Sequence, residues 1–400
     1  MHTELGHLTF CTNIFPGESW QEHFDLLKSE IPIIKKQVAA ESPFGIGLRL
    51  SNSASVDLIQ PKKLSVFKVW LKENNCVVYT MNGFPYGSFH RESVKDRVHT
   101  PDWTTKERLD YSLRLFDILT ELLPENGEGS ISTSPLSYKY WFDEQERLVV
   151  KKRATQHIIK VVLALIKIYH KTGKVLHLDI EPEADGLLEN SEEFIDWYLN
   201  DLLPASIHVL KSEASLTEQE ADSAIRRHVQ LCYDVCHFAV GFERVNEVVQ
   251  RLDTADIQIG KWQLSAALKV NWLTESEENQ KRLQELKKFD EPVYLHQVVA
   301  KNEKNTLLRY RDLPDAFHSN EALNCKEWRA HFHVPLFVKD YGLLESTQKE
   351  VTEALSIQKK EKQAAILEVE TYTWDVLPQD LKQTLSSSIV RELKWVINHI

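Results

Sequence analysis

The chain lacks most of the short signatures that assign a function at sight. The five cysteines, Cys11, Cys76, Cys232, Cys236 and Cys325, are an odd number and form no CxxC pair. Three of them lie in apolar strand-like runs, where Cys behaves as a small buried hydrophobe. A structural thiolate metal site is therefore excluded. The opening residues, MHTELGHLTF, lack a basic segment followed by a long apolar one, so no signal peptide is expected. No run approaches the ~20 apolar residues that span a bilayer. A soluble cytoplasmic protein without membrane insertion is the expectation. No long Lys/Arg block exists and the net charge is −11, so the footprint of a nucleic-acid binder is missing. GxGxxG and GxxxxGK(S/T) loops, a GxSxG elbow and an HExxH helix are all absent, which removes dinucleotide and P-loop chemistry. The Gly45-Ile46-Gly47 pair belongs to a strand. No Gly/Ser/Pro-rich linker, internal repeat or low-complexity tract divides residues 1–400, and a single domain is expected.

What is present is ordinary in bulk, 42% hydrophobic and 27% charged over 400 residues, enough for one large α/β core. Short apolar runs alternate with longer amphipathic ones. The strand candidates are His7–Thr12, Gly45–Leu50, Val77–Asn82, Gly129–Thr133, Val175–Glu181, Gln230–Cys236, Ile257–Ser265 and Ala365–Thr371. Between them Trp20–Ala39, Lys62–Glu73, Thr105–Leu123 and Lys152–His170 carry aliphatic residues at helical spacing. Ser19 and Thr104 are expected N-caps and Gly173 a C-terminal stop. Eight strands alternating with helices predict an α/β fold, a (β/α)8 TIM barrel closed by a helix from Gln379 to Ile400. Two doubly wound domains are the structural alternative. Val293–Ala300 and Thr306–Asp312 flank the polar NEKN and predict a β-hairpin inserted at about 292–315, between strands seven and eight. It would serve as a lid, a partner surface or plain decoration.

Barrel sites lie at the C-terminal ends of strands, so strand ends are the informative positions. KVLHLDIEPE, at 174–183, is the most telling: a near-continuous apolar run ending in Asp179, Glu181 and Glu183, with Pro182 stopping the ladder. Strand six ends in Asp234-Val235-Cys236-His237, strand seven in Gln263-Leu264-Ser265, and strand eight in Glu368-Val369-Glu370. Burying several like charges is costly unless a cation sits among them. Oxygen and imidazole donors suit Mn, Mg, Zn or Fe. Residues two apart face one way, so Glu181 and Glu370, nearer the mouth, are the expected ligands, with Asp179 and Glu368 beneath them. Asp234 is a further ligand, and His237, three residues on, is expected to hold substrate. His331 and His333 share one side of an extended segment and suit a metal or an anionic substrate. Arg49, at the end of strand two, and Asn82, opening the NGFPYG loop after strand three, are further substrate-binding candidates.

Glu181, Asp234 with His237, Gln263 and Glu370 resemble the set of the xylose isomerase-like TIM-barrel superfamily. Its epimerase branch binds one divalent metal with Glu, Asp, His-or-Gln and Glu on those four strands. The amide at Gln263 is similar to the hydroxypyruvate isomerase variant. The resemblance implies that Glu181, Asp234, Gln263 and Glu370 ligate the metal. It also implies that the two glutamates flank the substrate, one removing and one returning a proton. HLTFCTNIFPGESW, PFGIGLRLS, MNGFPYGSFH, GSISTSPLSYK, LHLDIEPEADG, CYDVCHFAV, HFHVPLF and LEVETYTW more closely resemble the EboE family of metabolite traffic proteins, over nearly the full chain. That family is implicated in moving secondary-metabolite precursors, and the resemblance implies other proteins of the same pathway as partners. The expected function is a divalent-metal isomerase or epimerase of a polyhydroxylated or hydroxycarbonyl small molecule. A metal-dependent hydrolase of the endonuclease type, with His331 and His333 as ligands, and a non-catalytic binding component are the alternatives. The acidic balance argues against nucleic acid as substrate.

Overall fold

The computed structural model describes residues 1–87, 94–273, 276–375, 377 and 383–400. Seven buried strands follow one another as β1 (Gly6–Phe10), β2 (Phe44–Arg49), β3 (Cys76–Asn82), β4 (Glu128–Thr133), β5 (Val175–Ile180), β6 (Val229–Asp234) and β7 (Ile259–Leu264). An insertion then supplies β8 (Ala266–Asn271), β9 (Val298–Lys301), β10 (Leu307–Tyr310), β11 (Glu327–Val334), β12 (Asp340–Tyr341) and β13 (Leu344–Ser346). The last strand, β14 (Ile366–Val369), pairs in parallel with both β7 and β1. A parallel bridge between Cys11 and Gly47 joins β1 to β2 and closes the ring of eight. The fold is the (β/α)8 barrel that the alternating pattern predicts.

The helices form where their end signals are strongest. Ser19 caps Trp20–Val38 through a reciprocal capping box with Glu22. Gly173, at φ 71°, ends the helix Glu144–Thr172 in the left-handed conformation that glycine adopts without penalty. That helix begins eight residues before the expected Lys152, because Asp143 and Glu146 form a second capping box. Thr105, not Thr104, caps the helix Lys106–Leu122; the Thr104 hydroxyl is occupied by Asp102 at 2.5 Å. The closing helix is Leu385–Asn398, and residues 379–382 of its expected start lie outside the described residues, as do Ser88–His90 of MNGFPYGSFH. Among the described residues no helix is long and apolar enough to cross a membrane.

The expected hairpin is present as β9 and β10, paired antiparallel from Val298↔Tyr310 to Lys301↔Leu307. It is the edge of a larger object. The whole insertion is a six-stranded antiparallel sheet in the order β10-β9-β11-β8-β13-β12. The sequence hides β8 because only Ser265 separates it from β7. Buried apolar side chains run continuously from Leu5 to Val396 and include Val298, Trp328 and Phe332 of the insertion.

Gly47 shows how tightly the barrel interior is filled. A Cβ there would lie 1.8 Å from Oε1 of Glu368 and 2.7 Å from the Phe10 carbonyl oxygen. Gly47→Ala should therefore cost about 3 kcal/mol or more of stability by overpacking. Chemical denaturation with an unchanged midpoint would contradict this.

Candidate metal centre

Backbone geometry explains why the carboxylates meet. The Glu181 N–H still donates to the Thr133 carbonyl at 3.0 Å, so its side chain keeps the inward alternation of β5 before Pro182 ends the ladder. The Glu370 N–H, bonded to the Leu264 carbonyl at 3.0 Å, extends β14 in the same way. Asp234 ends β6 and is the N-cap of the short helix Val235–Val240, its carboxylate accepting the His237 N–H at 3.1 Å. The cap and the residue three positions on share one turn, which brings Asp234 and His237 to one place.

Two layers of charge fill the barrel axis, and only the lower one closes its own balance. In it His177 Nδ1 lies 2.5 Å from Asp179, and the Lys261 ammonium donates to Glu368 at 2.6 Å and Ser132 at 2.9 Å. Burial alone would push His177 down, but Asp179 holds it up at about 9. Burial likewise opposes the charge of Lys261, and Glu368 outweighs it. Asp179 and Glu368 thus lie beneath the mouth, as their position in the strands predicts.

The upper layer brings Glu181, Asp234 and Glu370 together, all buried, with oxygens within 4.8 Å of one another. Burial, reinforced by Asp234, pushes Glu181 up to about 8. Burial and then the Glu181 and Asp234 charges push Glu370 well above its usual range. Gln263 sits at the centre, its amide nitrogen donating to Glu181 at 2.7 Å, to Asp234 at 2.8 Å and to Glu370. Oε1 of Glu370 accepts from Asn13 at 2.7 Å and Asn82 at 2.8 Å, whereas Oε2 of Glu181 is buried without a hydrogen-bond partner. These donors fit a hard divalent cation. With its amide turned over, Gln263 would present an oxygen to the same place.

Beside this set three imidazoles converge. His331 Nε2 lies 3.1 Å from His237 Nε2 and 3.2 Å from His333 Nε2. Each Nδ1 faces an oxygen acceptor: the Pro182 carbonyl for His237, Gln297 Oε1 for His331 and the Glu370 carbonyl for His333. The Gln297 assignment is fixed because its amide nitrogen donates to the Ala184 carbonyl. Carbonyl acceptors at Nδ1 leave the Nε2 lone pairs of His331 and His333 pointing inward. Burial pushes His333 down to about 4 and His331 well below its usual value. Burial also opposes a charge on His237, but Asp234, Glu181 and Glu183 raise it. The cluster can thus be satisfied by a proton on His237, or by a cation. Ligands at about 2.0–2.1 Å from a tetrahedral zinc stand about 3.3 Å apart, close to the spacing here.

The expected site residues therefore separate into two groups. Glu181, Asp234, His237, Gln263, His331, His333 and Glu370 come together. Asn82 lines the cavity, but its amide holds Glu370 and accepts the Phe84 N–H at 3.0 Å, so it orients a ligand rather than offering itself to substrate. Arg49 does not line the cavity. Its guanidinium reaches sideways to Glu18 at 3.3 Å and the Gly87 carbonyl, which neutralise it away from the mouth. Asn13, Ser265, Glu183, His99 and Gln297 stand at the site without being among the expected ligands or substrate contacts. Ser265 donates to Asp234 at 2.6 Å, and His99 Nε2 lies 3.1 Å from Glu183. Asn13, Glu183 and Ser265 sit at or just past strand ends and were legible there; His99 ends a short 3-10 helix and Gln297 lies in a loop, with no such signal. The cavity above measures about 580 Å³, including the part open to solvent.

No protein-family model matches the chain, and no curated protein matches it. Several solved structures are similar over its length. A xylose isomerase domain protein from Planctomyces limnophilus shares 10% identity and a TM-score of 0.48, covering 100% of this chain and 98% of that one. The IOLI protein, solved with a zinc atom, shares 11% identity and a TM-score of 0.46, covering 98% and 96%. The probable 3-DHS dehydratase AsbF from Bacillus anthracis shares 11% identity and a TM-score of 0.45, covering 98% and 99%. These likenesses concern the fold alone.

Burial raises both Glu181, to about 8, and Glu370, so a cation loaded between them would displace their protons. Apparent metal affinity should therefore rise with pH from 6 to 9, by about tenfold per unit for each proton displaced. Competition with a chromophoric chelator from pH 6 to 9 measures this; a flat profile would contradict it.

Proposed function

We propose that the chain is a divalent-metal-dependent isomerase or epimerase of a hydroxycarbonyl or polyhydroxylated small molecule. The observation that supports it is the upper layer: three buried carboxylates drawn around one amide, two of them, Glu181 and Glu370, lining the floor of a small cavity. Glu181, Asp234, Gln263 and Glu370 would hold the cation, whether Mn, Zn or Mg, which when bound would polarise a carbonyl or hydroxyl oxygen. The two glutamates then have different tasks. Glu370 is pinned by Asn13, Asn82 and Gln263, all N–H donors, which suits a fixed ligand. Glu181 keeps one oxygen without a partner; it takes the proton adjacent to the carbonyl and returns it to the neighbouring carbon to complete an isomerisation, while an epimerisation needs Glu370 to return the proton from the other side. His237, whose hold on a second proton its three carboxylate neighbours strengthen against burial, would hold a substrate oxygen by donating from Nε2. The same proposal puts this chemistry in the cytoplasm, on a secondary-metabolite precursor, in keeping with the resemblance of its segments to the EboE family.

A second proposal, a metal-dependent hydrolase of a small phosphoester, is favoured by one observation: the three converging imidazoles fit another cation next to the first. Paired cations would clamp the attacking and leaving oxygens. The covered mouth speaks against a polymeric substrate, since Val94 bonds to the Val293 carbonyl at 2.8 Å and Lys95 pairs with Asp312 across it.

Elemental analysis of protein purified without chelator should give about one equivalent of metal, lost in Asp234→Ala. Deuterium exchange from heavy water into a panel of hydroxycarbonyl compounds should then fall about a thousandfold in Glu181→Gln, assayed at saturating metal because that variant also loses a ligand. In Glu370→Gln metal itself should be lost. Two equivalents, with hydrolysis of bis(4-nitrophenyl) phosphate and no exchange, would replace the first proposal by the second.

A further inference from the structure

The cavity has a polar floor and an apolar wall, and the two come from different parts of the chain. Glu181, Glu370, His237 and the insertion's imidazoles form the floor. Among the described residues, Phe84 and Pro85, Val94 and Val98, and Tyr294 and Leu295 form the wall, with Lys95 beside them, its ammonium paired with Asp312. Phe84 and Pro85 come just after β3, so they stand above the strand ends. Val94 is tied to the insertion by its N–H bond to the Val293 carbonyl. Tyr294 packs edge-on against Tyr372 at 5.1 Å, and Tyr372 in turn lies 4.7 Å from His333. The aromatic corner thus descends from wall to floor. Leu295 and Val98 remain partly exposed, so their side chains have apolar surface left to cover.

Such a wall selects against a fully hydroxylated molecule. Hydroxyls pressed on Phe84, Val98 and Leu295 would lose water without gaining a partner, which costs binding energy for each. A hydrocarbon face placed there gains by the area it removes from water. From this two-sided lining, and resting on the metal-centre proposal above, we infer that the substrate is amphiphilic. Its hydroxycarbonyl or vicinal-diol head meets the floor, and its body is an apolar or aromatic ring that packs on the Phe84, Val98 and Leu295 wall. The wall residues are then specificity determinants, acting on the body and not on the reacting head.

Calorimetric titration of the metal-loaded protein with three probes that share the head but differ in body tests this. The probes are hydroxyacetone, 2-hydroxyacetophenone and D-fructose. The ring compound should bind about tenfold or more tightly than hydroxyacetone, by the area it buries, and fructose no better than hydroxyacetone. Leu295→Ala and Val98→Ala, at partly exposed positions that tolerate truncation, should each weaken the ring compound about threefold to tenfold and leave hydroxyacetone unchanged. Metal-dependent binding in which fructose is preferred, or in which both variants weaken all three probes equally, would overturn this inference alone. Affinities that stay the same after chelation would instead overturn the metal-centre proposal beneath it.

Discussion

Like charge held out of water governs this structure. Asp179, Glu181, Asp234, Glu368 and Glu370 all project into the barrel axis and are essentially inaccessible to solvent. Two unit charges 4 Å apart repel by about 4 kcal/mol at an effective dielectric of 20. Lys261 and His177 settle the lower pair of carboxylates, whereas Glu181, Asp234 and Glu370 crowd around the Gln263 amide with His237 and His333 beside them. A hydrocarbon barrel of the same shape would be easier to fold. Acids buried so close together are a costly arrangement, of the kind that clusters at functional sites.

The insertion completes what the barrel begins. β11 carries His331 and His333 on one face, and Phe332 turns the other way to pack on Phe289 and stack on His296. The same excursion supplies Gln297, which orients His331, and the Tyr294–Leu295 corner above it. The insertion therefore lines one cavity twice, with His331 and His333 from its sheet and with Tyr294, Leu295 and Gln297 from the loop before β9. This is a larger assignment than that of a surface hairpin.

The eight barrel strands were legible because strands buried on both faces read as continuous apolar runs. Their ends were less so: Val235 and Cys236 belong to a helix, since Asp234 caps it in the very residues that look like strand. The carboxylate and imidazole positions followed from alternation, which survives small errors in boundaries. Arg49 misled because a long side chain can leave the direction that its Cα sets, and Glu18 drew it aside. Asn82 misled differently; its position was right, but both ends of its amide are spent within the protein. The insertion sheet was mostly hidden because Glu327–Val334 mixes charge, indole and imidazole, and its pairing with β8 spans more than fifty residues.

The contact between Asn13 and Glu370 joins residues 357 apart in sequence. It spans the seam where β14 pairs with both β7 and β1, the first and last strands of the barrel meeting there. Glu181, Asp234 and Glu370 follow or end β5, β6 and β14, so the first two carboxylates come from the middle of the sequence and the third from near its end. Cutting or loosening the terminal strand would thus part the acidic cluster while leaving most of the ring's own residues untouched.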